Sequence, residues 1–359
     1  MTTPPDTPTL RLVTDPSPAA LAEFDAVIDT RSPAEFAEDH IPGAINLPVL
    51  SNEERAEVGT LYVQQSRFLA RRIGAAIVAR NIAAHLEGAL ADRPGGFRPL
   101  VYCWRGGQRS HAMATVLSQV GWRTALLEGG YRTWRRRVQR RLYDDGPQLK
   151  VVLLDGHTGA AKTEILHRLA GRGVQTLDLE GLAGHRGSLF GGFGGRPQPS
   201  QKMFESRLLS AMEALDPDKV TVIEAESSKV GERMVPPVLW RAMQAAPRVR
   251  LEAPPEQRAR YLAQAYRDVI DDRATLEEAL ARLPIRASPE RRKAWAALLD
   301  AGDWEALALA LLQHHYDPAY TRSAGRDARP ILGVVPISPS DDDSQAGAAD
   351  EIARIAAGA

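Results

Sequence analysis

The sequence predicts an α/β protein built from two successive units in which strands alternate with helices, followed by a helical C-terminal region. Three observations carry this. Short apolar runs such as FDAVIDTR (24–31), RPLVYC (98–103) and KVVLLDG (150–156) are bounded by turn formers and read as buried strands. Between them lie stretches with Ala, Leu and Arg at three- and four-residue spacing, which is the helical period. The turn-rich break DDGPQ (144–148) interrupts the alternation, which then begins again.

Taken in order, residues 1–9 read as a loose tail and 24–31 as a short buried strand ending in an acid. PAEFAEDH (33–40) reads as a helix opened by Ser32 and Pro33. IPGAINLP (41–48) is a turn and a second strand, and the long stretch 51–90 is a helical insertion. RPLVYCWRGGQRS (98–110) is a strand entering a glycine-containing loop; 111–121 is a helix, and 122–130 a strand ending at Gly-Gly. This gives a first domain over 10–143 with its insertion at 51–90. The second, over 148–254, has strands at 150–156, 174–181 and 220–227, a helix at 163–171, and a closing strand at 249–254. A helical region over 255–335 follows, and 336–359 is expected to be a loose tail.

The 359 residues suffice for two or three domains with their own cores, in an ordinary globular composition, 44% hydrophobic and 25% charged. Lys plus Arg and Asp plus Glu number 45 each, so any nucleic-acid surface must be a local basic patch. A single cysteine rules out an internal disulfide and fits a reducing compartment. The first residues lack the apolar core of a secretory signal, and no apolar run approaches the roughly 20 residues that span a bilayer. A cytoplasmic enzyme with no membrane partner is expected.

Two loops carry chemistry. Cys103 directly follows a strand and precedes Gly-Gly and a helix. Converging loop amides and the helix N-terminus there would favour a charged sulfur and hold an anion before it, with Arg105 and Arg109 adding full charge. Cys, five residues, Arg also fits a cysteine phosphatase. Tyr102, where phosphatase loops usually carry His, and the upstream pattern favour a chalcogen carrier. In that pattern Arg31 and Glu35 are expected to pair and His40 to satisfy a turn. GHTGAAKT (156–163) follows an apolar strand and opens a helix, the context of a P-loop. Gly156, Thr158, Gly159 and Lys162 would hold phosphate, and Thr163 is positioned for Mg²⁺. Ala161 stands where that motif has its last glycine, which leaves nucleotide use open. Glu224 and Glu226 end a strand as candidate partners of Mg²⁺ through water. Asp178, Glu180, His185, Arg186 and Ser188 lie in a glycine-rich stretch expected to form a functional loop beside the phosphate. RTWRRRVQRR (132–141) gathers Arg132, Arg135, Arg136, Arg137, Arg140 and Arg141, a candidate phosphate-tracking helix with Trp134 for stacking. HHYDPAYTRS (314–323) is expected to be structural.

DTRSPAEFAEDHIPGAINLP (29–48) resembles the rhodanese opening. With the stretch 51–86, YCWRGGQRS (102–110), GHTGAAKTEIL (156–166), DLEGLAGHRGS (178–188), EAESSKVG (224–231) and HHYDPAYTRS, the chain resembles the tRNA 2-selenouridine synthase family across most of its length. The resemblance implies a rhodanese-like domain followed by a P-loop NTPase-like domain. It implies a tRNA carrying 2-thiouridine as partner, geranyl diphosphate and selenophosphate as substrates, and no tightly bound cofactor. It also implies that the residue matching Cys103 carries selenium. Three other readings stay open on the residues alone: a sulfurtransferase fused to an ATP-binding domain, a nucleotide-sensing redox-regulatory binding protein, and a cysteine phosphatase.

Overall fold

The computed structural model describes residues 10–186, 197–267, 273, 276–277, 280, 288–324 and 327–359. They fall into two compact units. The first runs to Asp144 and also takes Ser200–Ala214. Its elements are β1 (Arg11–Val13), α1 (Pro18–Leu21), β2 (Ala26–Asp29), α2 (Pro33–Glu38), β3 (Ile45–Asn46), α3 (Asn52–Gln64), α4 (Arg67–Glu87), β4 (Pro99–Tyr102), α5 (Gln108–Val120), β5 (Ala125–Leu127) and α6 (Tyr131–Gln139). A π-turn, Arg140–Asp144, extends α6. The five strands form one parallel sheet in the order β1-β5-β4-β2-β3.

Local chemistry explains the starts. Ser32 and Glu35 form a capping box at α2, with Pro33 preset for the first turn. The expected insertion is a helical hairpin: Ser51 and Glu54 box the start of α3, and the Ser66 hydroxyl accepts the Leu69 amide to start α4. The core joins Ile28, Val101 and Leu126 of the sheet to Met113 and Leu117 of α5 and to Ile77, Val78 and Ile82 of α4.

The second unit takes Asp145–Pro199 and Leu215–Ala359. It begins with β6 (Lys150–Gly156), α7 (Lys162–Gly171), β7 (Gln175–Leu177) and α8 (Leu179–Ala183). Next in the chain comes α9 (Gln201–Glu213), which belongs to the first unit. The second unit resumes with β8 (Val220–Glu224), the hairpin β9 (Lys229–Val230) and β10 (Arg233–Met234), α10 (Pro237–Ala245), β11 (Arg248–Glu252) and α11 (Pro255–Ala265). It ends with α12 (Pro289–Ala301), α13 (Trp304–Leu311), a π-turn (Leu312–Tyr316), α14 (Asp317–Ala324), β12 (Ile331–Pro336) and α15 (Asp342–Ala357). Its parallel sheet has the order β12-β11-β6-β8-β7. Successive crossovers leave β6 on opposite sides, so the C-terminal end of β6 lies at a topological switch point, where open α/β sheets bind ligands.

Two expectations are corrected. The strand 249–254 does not close the second domain, because β12 adds a further parallel strand beside β11. Residues 336–359 are not a loose tail. Asp341 accepts the Ser344 amide, and Asp342 and Asp343 occupy the first turn of α15, where acids favour a helix N-terminus. Its Ala348, Ala349, Ile352 and Ala356 pack in one core with Val152 and Leu154 of β6 and Ile165 and Leu169 of α7. The polar composition of 338–350 belongs to the capped start of a helix whose buried face is alanine-rich and therefore inconspicuous. No described helix is long and apolar enough to cross a membrane.

Candidate active sites

Cys103 sits immediately after β4, 3% exposed. Its sulfur is bordered by hydrogen-bond donors. The Gly107 amide donates to Sγ at 3.2 Å and the Ser110 hydroxyl at 3.1 Å. Gly107 also caps α5, so the sulfur faces the helix N-terminus. The loop is held by backbone contact with the β5–α6 turn. The Tyr131 amide donates to Cys103 O at 2.8 Å and the Arg132 amide to Trp104 O at 3.2 Å. Gly130 has φ 58° and a Cβ there would lie 2.2 Å from Cys103 O, so that turn accepts no side chain.

The predicted arginines divide. Arg105 is exposed and has no carboxylate partner among the described residues. Arg109 is engaged by Glu35, Nη1 to Oε2 at 2.7 Å. The expected Arg31–Glu35 pair is therefore corrected: Arg31 is buried and forks onto Asp29, with Nη2–Oδ2 at 2.6 Å, and donates to Asp39 O. Burial raises the Glu35 carboxyl, but its Arg109 and Ser32 partners outweigh that and hold it below the ordinary value. His40 satisfies a turn, its Nδ1 2.8 Å from Phe36 O. Ser110, whose hydroxyl meets the Cys103 sulfur, is the side chain of this candidate site that sequence reasoning passed over.

The basic helix is also corrected. Arg135 pairs with Glu205, Arg137 with Glu213 and Asp15, and Arg141 shares Glu213. Glu205 and Glu213 belong to α9, packed on α6 within the first unit. Trp134 is buried and donates its indole N–H to Ser206 at 3.0 Å, so it offers no stacking face. Arg132, Arg136 and Arg140 are exposed, Arg136 donating to Thr133 Oγ1.

In the second unit the loop after β6 is a P-loop in geometry. Gly156 (φ 150°) and Gly159 (φ 83°) abut β11 and α11, where a Cβ would meet Leu251 O at 2.9 Å and Arg258 O at 3.0 Å. Ala161 has φ 58°, the single left-handed non-glycine among the described residues, at the place where the motif carries glycine. Lys162 Nζ donates to Gly156 O at 3.0 Å, folding back over the loop, and Thr158 lines the cavity beside it. The HHYDPAYTRS stretch supports this loop. Asp317 receives both Arg258 nitrogens at 2.9 and 2.7 Å and lies 3.0 Å from His157 Nδ1. Arg258 also donates to Thr158 O, and the Tyr320 hydroxyl to Asp155 at 2.9 Å. Burial raises Asp317, but Arg258 and His157 outweigh it and hold its carboxyl low.

The Thr163 hydroxyl donates to Glu180 Oε2 at 3.0 Å. Glu180 is pushed up to about 8, first by burial and then by the Glu226 charge. Glu224, at the end of β8, is fully buried, and neither carboxylate oxygen has a hydrogen-bond partner among the described residues. Burial, then Glu180, Asp178 and Glu226, push it well above the ordinary range. Asp178 caps α8 through the Gly181 amide. Thr163, Asp178, Glu180 and Glu226 border a cavity of about 940 Å³, with Glu224 buried behind it; the cavity is reached also by His185, whose pKa burial lowers, and by Arg186, whose guanidinium lies 5.0 Å from the Tyr266 ring centre. The cavity has a phosphate-type end at Lys162 and Thr163 and a wall of Tyr261, Leu262, Ala265, Tyr266 and Tyr316. Of that wall, Tyr316 falls in the HHYDPAYTRS stretch, which was expected to be structural, and the α11 side chains carried no sequence motif. Ser188 lies outside the described residues.

These sites define a class: a rhodanese-like domain with a cysteine loop, joined to a P-loop domain and a helical C-terminal region. Comparison agrees. The model of the rhodanese-like domain family matches residues 17–137, and that of the tRNA 2-selenouridine synthase AAA domain matches 149–334. A tRNA 2-selenouridine synthase of Sulfurovum sp. is 32% identical, covering 85% of this chain and 90% of its own. One from Bordetella petrii is 33% identical over 85% of this chain and 88% of its own, and one from Aeromonas salmonicida 32% over 85% and 89%. The chain belongs to the tRNA 2-selenouridine synthase family.

Proposed function

We propose that this protein is a transferase that converts 2-thiouridine at the wobble position of a tRNA into 2-selenouridine through an S-geranyl intermediate. In the first step the C1–O bond of geranyl diphosphate breaks, the thiocarbonyl sulfur takes the geranyl carbon, N3 of the base gives up its proton, and diphosphate leaves. In the second, selenophosphate held at the Cys103 loop attacks C2 through its selenium, the C2–S bond breaks and geranylthiol leaves with a proton, and water cleaves the Se–P bond to release phosphate. The observation that carries this reading is the Cys103 sulfur meeting two donors, Gly107 N–H and the Ser110 hydroxyl, at a helix N-terminus. Arg105 stands exposed beside it for the selenophosphate anion, while Arg109 positions the loop through Glu35.

The P-loop is assigned to the diphosphate. Lys162 and the loop amides would hold it, and the Tyr261–Tyr266 wall suits an apolar tail. Mg²⁺ would be held by Thr163, Glu224 and Glu226, and the orphaned Glu224 oxygens fit that cation. It would supply charge to the departing diphosphate.

The test is to incubate the protein with 2-thiouridine tRNA, geranyl diphosphate and selenophosphate and to weigh the modified nucleoside. Cys103→Ala should accumulate the S-geranyl nucleoside, and Lys162→Ala should leave 2-thiouridine unchanged. Full geranylation by Lys162→Ala would remove the P-loop assignment, and selenation by Cys103→Ala would remove the role of Cys103.

A further inference from the structure

We propose that the tip of the α3–α4 hairpin is a docking surface for the unpaired bases of an RNA loop. This rests on the reading that a tRNA is the partner, and it moves the contact away from the α6 arginines, half of which α9 neutralises. The hairpin's outer end lies outside the core. α3 has no buried residue, and the buried residues of α4 begin only at Ala70. Flanking the turn, Tyr62 and Val63 at the end of α3 are 43% and 83% exposed, and Phe68 at the start of α4 is 75% exposed. Arg67 lies over the Tyr62 ring, 5.6 Å from its centre, and Gln64, Gln65, Arg71 and Arg72 are exposed around it.

The charge is one-sided. Residues 58–86 hold four arginines and no Asp or Glu, in a chain whose net charge is zero. Among the described residues, Arg67, Arg71 and Arg72 have no carboxylate partner. Exposed aromatic faces beside free guanidinium groups are the combination that binds splayed nucleotides. The rings stack on bases, and the cations follow the backbone. A duplex would satisfy the arginines but keeps its bases stacked away from Tyr62 and Phe68. A second copy of the chain, meeting this patch across a two-fold axis, would bring like charges together.

The experiment uses the full-length protein with two probes: a stem–loop RNA of anticodon type and a blunt RNA duplex of equal length. Tyr62→Ala with Phe68→Ala should weaken stem–loop binding roughly ten- to hundredfold and change duplex binding by less than about twofold. Phe68→Tyr, which keeps a ring, should bind the stem–loop as the wild type does. Arg67→Gln, Arg71→Gln and Arg72→Gln together should weaken both probes and reduce the slope of log affinity against log salt by about two. All these side chains are exposed, so thermal midpoints should coincide and report an intact fold. Stem–loop binding undiminished in the aromatic variant overturns the proposal while leaving the tRNA reading intact. So does a wild-type dimer that the aromatic variant dissociates without loss of RNA affinity. A wild type that binds neither RNA at low salt ends both.

Discussion

At the scale of single residues, the two sites differ in how much of them local sequence could announce. Cys103 and Lys162 were legible because strand, loop and helix N-terminus are contiguous at each. The role of Arg109 was not, because its partner Glu35 is 74 residues away in sequence. Ala161 shows a local departure with a physical consequence. A non-glycine residue in the left-handed region costs about 1–2 kcal/mol, and glycine returns roughly half of that to the unfolded chain as entropy. Ala161→Gly should therefore be neutral or stabilising by up to about 1 kcal/mol in urea denaturation. A clear loss of stability would mean that the Ala161 methyl, buried in the core, matters more than the strain. At the other site, Ser110→Ala removes one of two donors to the Cys103 sulfur. Alkylation of that thiol by iodoacetamide should slow severalfold, with no change in thermal midpoint beyond about 0.5–1.5 kcal/mol equivalent. An unchanged rate would show that the Gly107 amide alone sets the environment of the sulfur.

At the scale of elements, the informative case is α6. Its arginines are spaced as a cationic stripe, and spacing alone cannot distinguish a stripe aimed at phosphate from one matched by acids on a distant helix. The match is α9, and it uses Arg135, Arg137 and Arg141. Glu213 is nearly buried and serves two guanidinium groups, so Glu213→Ala leaves both without their shared acceptor. It should destabilise the first unit by about 1–3 kcal/mol, whereas Arg132→Ala at an exposed position should stay within about 0.5 kcal/mol. Equal effects in chemical denaturation would return α6 to the role of a solvated cationic face. α15 makes the complementary point: its alanine-rich face buries little per residue and its start is polar, so it reads as a tail, yet Ile352 is fully buried beneath it. Ile352→Ala should cost about 2–5 kcal/mol, a loss that a loose tail would not show.

At the scale of the whole chain, the alternation of strand and helix was readable, but the composition of each unit was not. The first unit borrows Ser200–Ala214 and the second recovers β12 and α15 after a long helical excursion. Such returns are set by which surfaces bury each other, and no local pattern encodes them. The same convergence places Glu180 and Glu224, far apart in sequence, beside one P-loop, and it gives the molecule a characteristic response to pH. Both carboxyls are raised in the folded state, Glu180 to about 8, so folding retains protons that the unfolded chain releases near 4.5. The stability they contribute is complete below that value and declines as pH climbs through Glu180's folded value. His157, His185 and His315 are lowered by burial, so they act in the opposite direction, adding stability as pH rises through about 6.5. Asp317 and Glu35 are lowered from values already below 5 and are silent at neutral pH. Above about pH 6.5 the two glutamates should therefore govern, and urea stability should fall toward pH 8. Glu180→Gln with Glu224→Gln, amides that mimic the protonated acids, should flatten that decline and leave the variant the more stable protein at pH 8. A wild-type profile that is flat or rising over this range would mean that the two carboxyls are already ionised beside Lys162.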